Sequence, residues 1–248
     1  MNSAMSPIFR RRLLDAASAP YRAVGVVHHR WARGKLGGDA IFTALVDGAV
    51  FPDQARVLDL GCGRGLLAAW HLAAEALAAR GEWPADTHRP PRDLHFTGVE
   101  LMAREAEAGM RALLPHYPGR VALSGGDMRE VALEGFDVVA ILDVLHYVDH
   151  AAQDLLLDRI RAALPPGGLF LTRVGDANGG LRFRISQWVD RGISFIQGHR
   201  LSRMWCRPLA EWVRILEARG FKVETRPMNG HQPFANVMLI ARVPQAAG

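Results

Sequence analysis

VLDLGCGRG, residues 57–65, decides the fold: an apolar run ends in an aspartate and opens into three glycines at alternate positions. A glycine-rich turn between a strand and a helix is a place where backbone comes close to a ligand. A dinucleotide fingerprint needs a small residue at the sixth position of G-x-G-x-x-G, and counting from Gly61 that position is Leu66. A phosphate loop needs G-x-x-x-x-G-K-[ST], and neither its spacing nor its lysine is present. What remains is G-x-G-x-G led by Asp59.

Outward from the loop, short apolar runs alternate with longer helical ones. Runs at 57–60, 94–100, 120–124, 136–142 and 168–174 read as strands, and those at 66–80, 102–114 and 151–164 as helices. Continuous apolar strands between helices belong to a parallel sheet covered on both faces. After a further helix at 208–220, the runs at 221–228 and 234–243 are joined by the short NGHQP, too short for a crossover, so they read as an antiparallel pair. The expected architecture is an α/β, doubly wound, seven-stranded and mostly parallel sheet. Residues 1–50 read as an N-terminal helical cap, with helices around RRLLDAAS and DAIFTALVDGAV, and residues 51–248 as the main domain. Pro-rich GEWPADTHRPPRD, 81–93, reads as a surface insertion, and residues 175–206 as a helical lid insertion.

The chain has 248 residues, enough for one sizeable α/β domain, with 49% hydrophobic and 22% charged residues. Its charge of +5 admits an acidic partner such as RNA or an anionic membrane, or reflects general arginine richness. No segment has the roughly 18 apolar residues of a membrane span. Two cysteines, Cys62 and Cys206, make no disulfide framework and have no metal-ligand spacing, which fits a reducing cytoplasm.

DLGCGRG after a strand and before a helix resembles the class I S-adenosylmethionine-dependent methyltransferases. That resemblance covers about 57–174 and extends more loosely to the end of the chain. It implies S-adenosylmethionine as cofactor, with Gly61, Cys62, Gly63 and Gly65 passing its amino-acid end and Asp59 meeting its ammonium. Glu100, at the end of the second strand, implies the acid that accepts from both ribose hydroxyls, and Leu101 packs with Met102 on the adenine. Asp127 corresponds to the acceptor of the adenine amino group, with Met128 beside it; a turn aspartate capping its own backbone is the alternative. Leu142 and Asp143 are expected at the methionine end, although Asp143 equally suits a helix cap.

Just past the fourth strand, His146 is the candidate acid–base residue and Tyr147 a lining residue of the acceptor pocket; both also suit plain packing. His28, His29 and His199 are more remote candidates. Between Leu181 and Arg207 stand six arginines and one acid, Asp190, interleaved with aromatics. That mixture suits a mouth for a small acidic or carrier-bound molecule, a phosphate-gripping RNA surface or a solvated helix face. No N/D-P-P-Y/F/W follows the fourth strand, unlike the methyltransferases of base or glutamine amino groups. No acidic cluster suggests magnesium, so no metal is expected. HHRWARGKLGGD and the lid are similar to bacterial methyltransferases of aryl-polyene or related pigment assembly, which implies an aromatic or polyene acceptor. The expectation is a cytoplasmic methyltransferase acting on a small molecule. An RNA methyltransferase and a non-catalytic cofactor-binding scaffold are the alternatives, and the oligomeric state stays open.

Overall fold

The computed structural model describes residues 5–175, 204–228 and 236–245. The expected lid, with His199 and most of its arginines and aromatics, therefore lies almost wholly outside the described residues, as does the NGHQP connection. The chain divides into two compact units, residues 1–132 and 133–248.

In the first unit, α1 (Pro7–Ser18) starts where Ser6 accepts from the Phe9 amide and Pro7 fixes the first turn. A 3₁₀ turn (Ala19–Val24) leads to α2 (Val26–Gly38), and Asp39 caps α3 (Ala40–Asp47). The strands are β1 (Arg56–Leu60), β2 (His95–Glu100) and β3 (Val121–Gly125), with α4 (Leu66–Ala79) and α5 (Ala103–Leu113) as the crossovers. Both strand pairs are parallel, with Asp59 opposite Gly98 and Glu100 opposite Gly125. Every residue of α4 from Leu66 to Ala74 is buried, so this helix is enclosed rather than laid on the surface.

α2 was not expected: Gly34, Gly37 and Gly38 lower its helix propensity. Packing explains Gly37, because a Cβ there would stand 3.0 Å from Leu14 on α1. The three N-terminal helices belong to the same compact unit as β1–β3, whereas the sequence reading set residues 1–50 apart. The 81–93 segment is the irregular loop expected, and it leans on α1 through an edge contact of 5.0 Å between Phe9 and Trp83.

The second unit holds β4 (Val138–Leu142), α6 (His150–Ala163), β5 (Leu169–Gly175), α7 (Leu209–Glu217), β6 (Lys222–Pro227) and β7 (Asn236–Arg242). Asp149 caps α6 by accepting from Ala152. β4 and β5 are parallel, whereas β7 runs antiparallel to both β5 and β6. The seven-stranded order is β3-β2-β1-β4-β5-β7-β6. This is a doubly wound, mostly parallel sheet with an antiparallel last strand, as the sequence predicts. Its strand ends carry the glycine bend after β1 and the loop after β4.

Candidate functional site

The bend after β1 is a run of left-handed residues: Gly61, Gly63 and Gly65 have φ of 78°, 54° and 75°. Only glycine adopts this repeatedly at little cost, which explains the alternate spacing. The amides of Gly61 and Cys62 both donate to the Val99 carbonyl, at 2.8 and 3.2 Å, and tie the bend to β2. A Cβ on Gly63 would meet nothing within 4 Å, so its backbone lies open to a ligand.

Two acids stand at this bend. Glu100 accepts the Gly63 amide on one oxygen and the Met102 amide on the other, both at 3.0 Å. A carboxylate has about four lone-pair sites, so each oxygen keeps capacity for one more donor. Asp59 is 6% exposed and has no hydrogen-bond partner among the described residues. Burial, and then the neighbouring Glu100 charge, push its carboxyl up to about 7. A buried acid of this kind gains by meeting a cation. The donors and acceptors thus fit a ligand with one ammonium and a vicinal diol. Cys62 is buried, and burial together with the two acids holds its thiol well above the ordinary range, which disfavours a nucleophilic or metal-binding thiolate.

Leu101 is 68% exposed just beyond β2, and Met102 precedes the first turn of α5. Asp127 follows β3 as expected, but its carboxylate is engaged locally. Arg129 gives it both a backbone amide at 2.9 Å and a guanidinium at 2.5 to 3.0 Å. These bonds hold the Asp127 carboxyl below the usual range. Met128 is half-buried beside it.

In the second unit, Leu142 ends β4 half-buried, and Asp143 turns out of the strand at φ 62°. Its carboxylate forms an ion pair with Arg173 of β5, Nε lying 2.6 Å from Oδ1; it caps no helix. A 3₁₀ turn, Leu145–Tyr147, presents His146 and Tyr147 with ring centroids 4.3 Å apart. His146 Nε2 is buried with no hydrogen-bond partner among the described residues, and burial lowers the imidazole pKa against the opposing Asp143 charge. Tyr147 is 42% exposed.

Behind this turn lies a polar hub that the sequence reading missed. Gln153 of α6 is fully buried, and its amide nitrogen lies 2.8 to 3.1 Å from the carbonyls of Leu145, Val148 and Trp205. Its oxygen accepts Arg207 Nε at 2.9 Å. Arg207 also reaches Glu211, Asp154 and the His150 carbonyl. The Trp205 amide donates to the His146 carbonyl at 2.9 Å, so the stretch around 205–207 is stitched to the His146 turn.

Two further residues at the glycine bend were missed. Tyr21 donates its hydroxyl to the Arg64 carbonyl at 2.7 Å, and the Arg64 guanidinium lies 4.3 Å from the centroid of the Trp31 ring. These contacts link residues 43 and 33 positions apart, and no local pattern signals them. His29 lies near Arg22, at 3.4 Å, and His28 is half-buried in α2. Among the described residues, no group of three or more His, Cys, Asp or Glu side chains stands where it would hold a metal ion. None of the described helices is long and apolar enough to cross a membrane.

A family profile described as a methyltransferase domain matches residues 35–226. Carboxy-S-adenosyl-L-methionine synthase of Aeromonas salmonicida (strain A449) is 30% identical over 121 residues, covering 48% of this chain. The match spans 42% of that relative, less than half its length. Among solved structures, magnesium protoporphyrin IX methyltransferase of Synechocystis PCC 6803 with bound SAH aligns at a TM-score of 0.56 and 15% identity, covering 95% of this chain and 98% of that one. Human N-acetylserotonin methyltransferase in complex with SAM aligns at 0.56 and 17% identity, over 95% of this chain and 57% of its own length. At such identities the likeness is one of fold.

Proposed function

The chain belongs to the methyltransferase domain family, and on that premise we propose that it moves the methyl group of S-adenosylmethionine to a small-molecule acceptor. The observation that carries this reading is Asp59, buried and without a hydrogen-bond partner among the described residues, beside Glu100 at an open glycine bend. When bound, S-adenosylmethionine supplies an activated methyl on a sulfonium. The protein's own task is then to orient the acceptor and exclude water.

In this reading Asp59 faces the ammonium and Glu100 accepts the ribose hydroxyls with its spare lone pairs. Gly61, Cys62, Gly63 and Gly65 give a backbone wall without bulk. Leu101, Met102 and Met128 offer apolar surface to the adenine, and Asp127 accepts from the adenine amino group in place of part of its Arg129 contact. Leu142 and Asp143 address the methionine end. His146, whose burial favours the neutral imidazole, takes a proton at Nε2 from an acceptor that has one to lose, and Tyr147 lines the acceptor's approach.

A small acceptor is supported by the likeness to folds whose names specify magnesium protoporphyrin IX and N-acetylserotonin. An aromatic or polyene acceptor is supported by the HHRWARGKLGGD resemblance. The reducing cytoplasm is the compartment this reading assigns, given two cysteines that are not joined in a disulfide.

The test is incubation of the pure protein with methyl-labelled S-adenosylmethionine and lysate fractions separated into small molecules, RNA and protein. Label in the small-molecule fraction, with S-adenosylhomocysteine as co-product, is the expected result. Label confined to RNA would transfer the activity to nucleic acid. A carboxylated cofactor without methyl transfer would place the chemistry with the Aeromonas salmonicida relative instead.

A further inference from the structure

Arg64, the residue between Gly63 and Gly65, is gripped at both its main chain and its side chain. The Tyr21 hydroxyl, on a side chain with no exposed surface, donates to the Arg64 carbonyl at 2.7 Å. The same carbonyl lies against α5 at Gly109, where a Cβ would stand only 2.6 Å from it. The guanidinium lies 4.3 Å from the Trp31 ring centroid, and its Nε meets Glu105 at 2.5 Å. The N-terminal segment and α5 therefore hold one residue of a bend whose alternate positions, 61, 63 and 65, are glycines.

A glycine-rich bend has more backbone freedom to lose than any other kind, and a ligand that orders it bears that cost in affinity. Fixing Arg64 removes part of the cost beforehand, and it also fixes the neighbouring Gly63 amide that Glu100 accepts. We infer that Tyr21 is a positioning residue of the methyl-donor site, holding the glycine bend in its ligand-receiving form, so that donor binding and docking of residues 19–31 favour each other. This rests on the donor assignment above. Linkage is reciprocal: if the docked segment tightens donor binding, bound donor must steady the segment by the same factor.

Tyr21→Phe keeps the ring and deletes only the hydroxyl. Titration calorimetry with S-adenosylhomocysteine, at a temperature where circular dichroism finds both proteins folded, should give a dissociation constant about five- to tenfold weaker for the variant, the worth of one neutral hydrogen bond. Trp31→Leu, at a partly exposed position, should weaken it about two- to threefold. In the wild type, saturating S-adenosylhomocysteine should slow amide hydrogen exchange over residues 19–31 as well as in the bend, a response that a purely structural tyrosine would not produce.

Wild-type affinity in Tyr21→Phe, or exchange over 19–31 indifferent to bound S-adenosylhomocysteine, overturns the linkage alone. If Tyr21→Phe does not fold, Trp31→Leu and the wild-type exchange decide. Failure of the wild type itself to bind S-adenosylhomocysteine overturns the donor assignment and the linkage together.

Discussion

Around the glycine bend, Asp59 is buried without a partner among the described residues and Glu100 uses one hydrogen bond per oxygen, whereas behind the His146 turn Gln153 and Arg207 engage nearly every donor and acceptor they own. Both clusters are polar and deeply placed, yet they are satisfied in opposite ways. A buried polar group left short of partners costs stability, and it persists where a ligand completes it. A fully connected network holds a backbone in place and leaves nothing to offer a ligand. In the proposed reading, the difference separates groups that bind from groups that hold the binding surface still.

The largest expected effect concerns Asp59. Its folded pKa, about 7, lies above the unfolded value near 4, so the native state binds more protons between those pH values. The stability of the ligand-free protein should therefore fall as pH rises from about 4 to about 7, by at most on the order of 4 kcal/mol, and level off above. Affinity for S-adenosylhomocysteine should move the other way and strengthen as Asp59 ionises. Asp59→Asn should flatten both dependences; denaturant melts and calorimetry across pH 5 to 8.5, as about the accessible range, check this. A slope unchanged in Asp59→Asn would assign it to another group.

Arg207→Ala should lower stability by about 3 kcal/mol, a melting-temperature fall of roughly 6–12 °C, because it strips Gln153 and the His150 carbonyl of their donor. At a temperature where the variant is folded, S-adenosylhomocysteine affinity should change by less than about twofold if this network only supports. Glu100→Ala should do the reverse, weakening S-adenosylhomocysteine about a hundredfold in calorimetry while costing little stability. A variant that lost both properties equally would erase the contrast between the two clusters.

The smallest effect falls on His71, buried in α4 between Phe51 and Phe96 with both ring nitrogens unpartnered among the described residues. Burial lowers its pKa to about 3, against about 6.5 unfolded, so it withdraws stability as pH falls from about 6.5. His71→Leu should raise thermal stability by about 1 kcal/mol at neutral pH, and by more at pH nearer 5.

The strands were legible because a sheet covered on both faces demands unbroken apolar runs, as in VVAIL of β4. Antiparallel β6 and β7 were legible from a connection too short to cross over. The places of Glu100 at the end of β2 and of the glycines in the bend were legible because strand ends and left-handed turns constrain residue type. Helix α2 was not, since three glycines conceal it and its stability comes from packing on α1. Tyr21, Gln153 and Arg207 were invisible for a common reason: each acts on backbone carbonyls far along the chain, and a carbonyl has no sequence signature. Asp127 was found at its expected place after β3, but the Arg129 fork two residues on went unread.

Gly109 sets a limit of its own. With helix and bend sharing space down to the width of a missing methyl group, even an alanine at this position would press on the Arg64 carbonyl. If the proposed donor site is right, the smallest possible enlargement of a side chain would therefore retune the grip on the methyl donor from the far side of the loop.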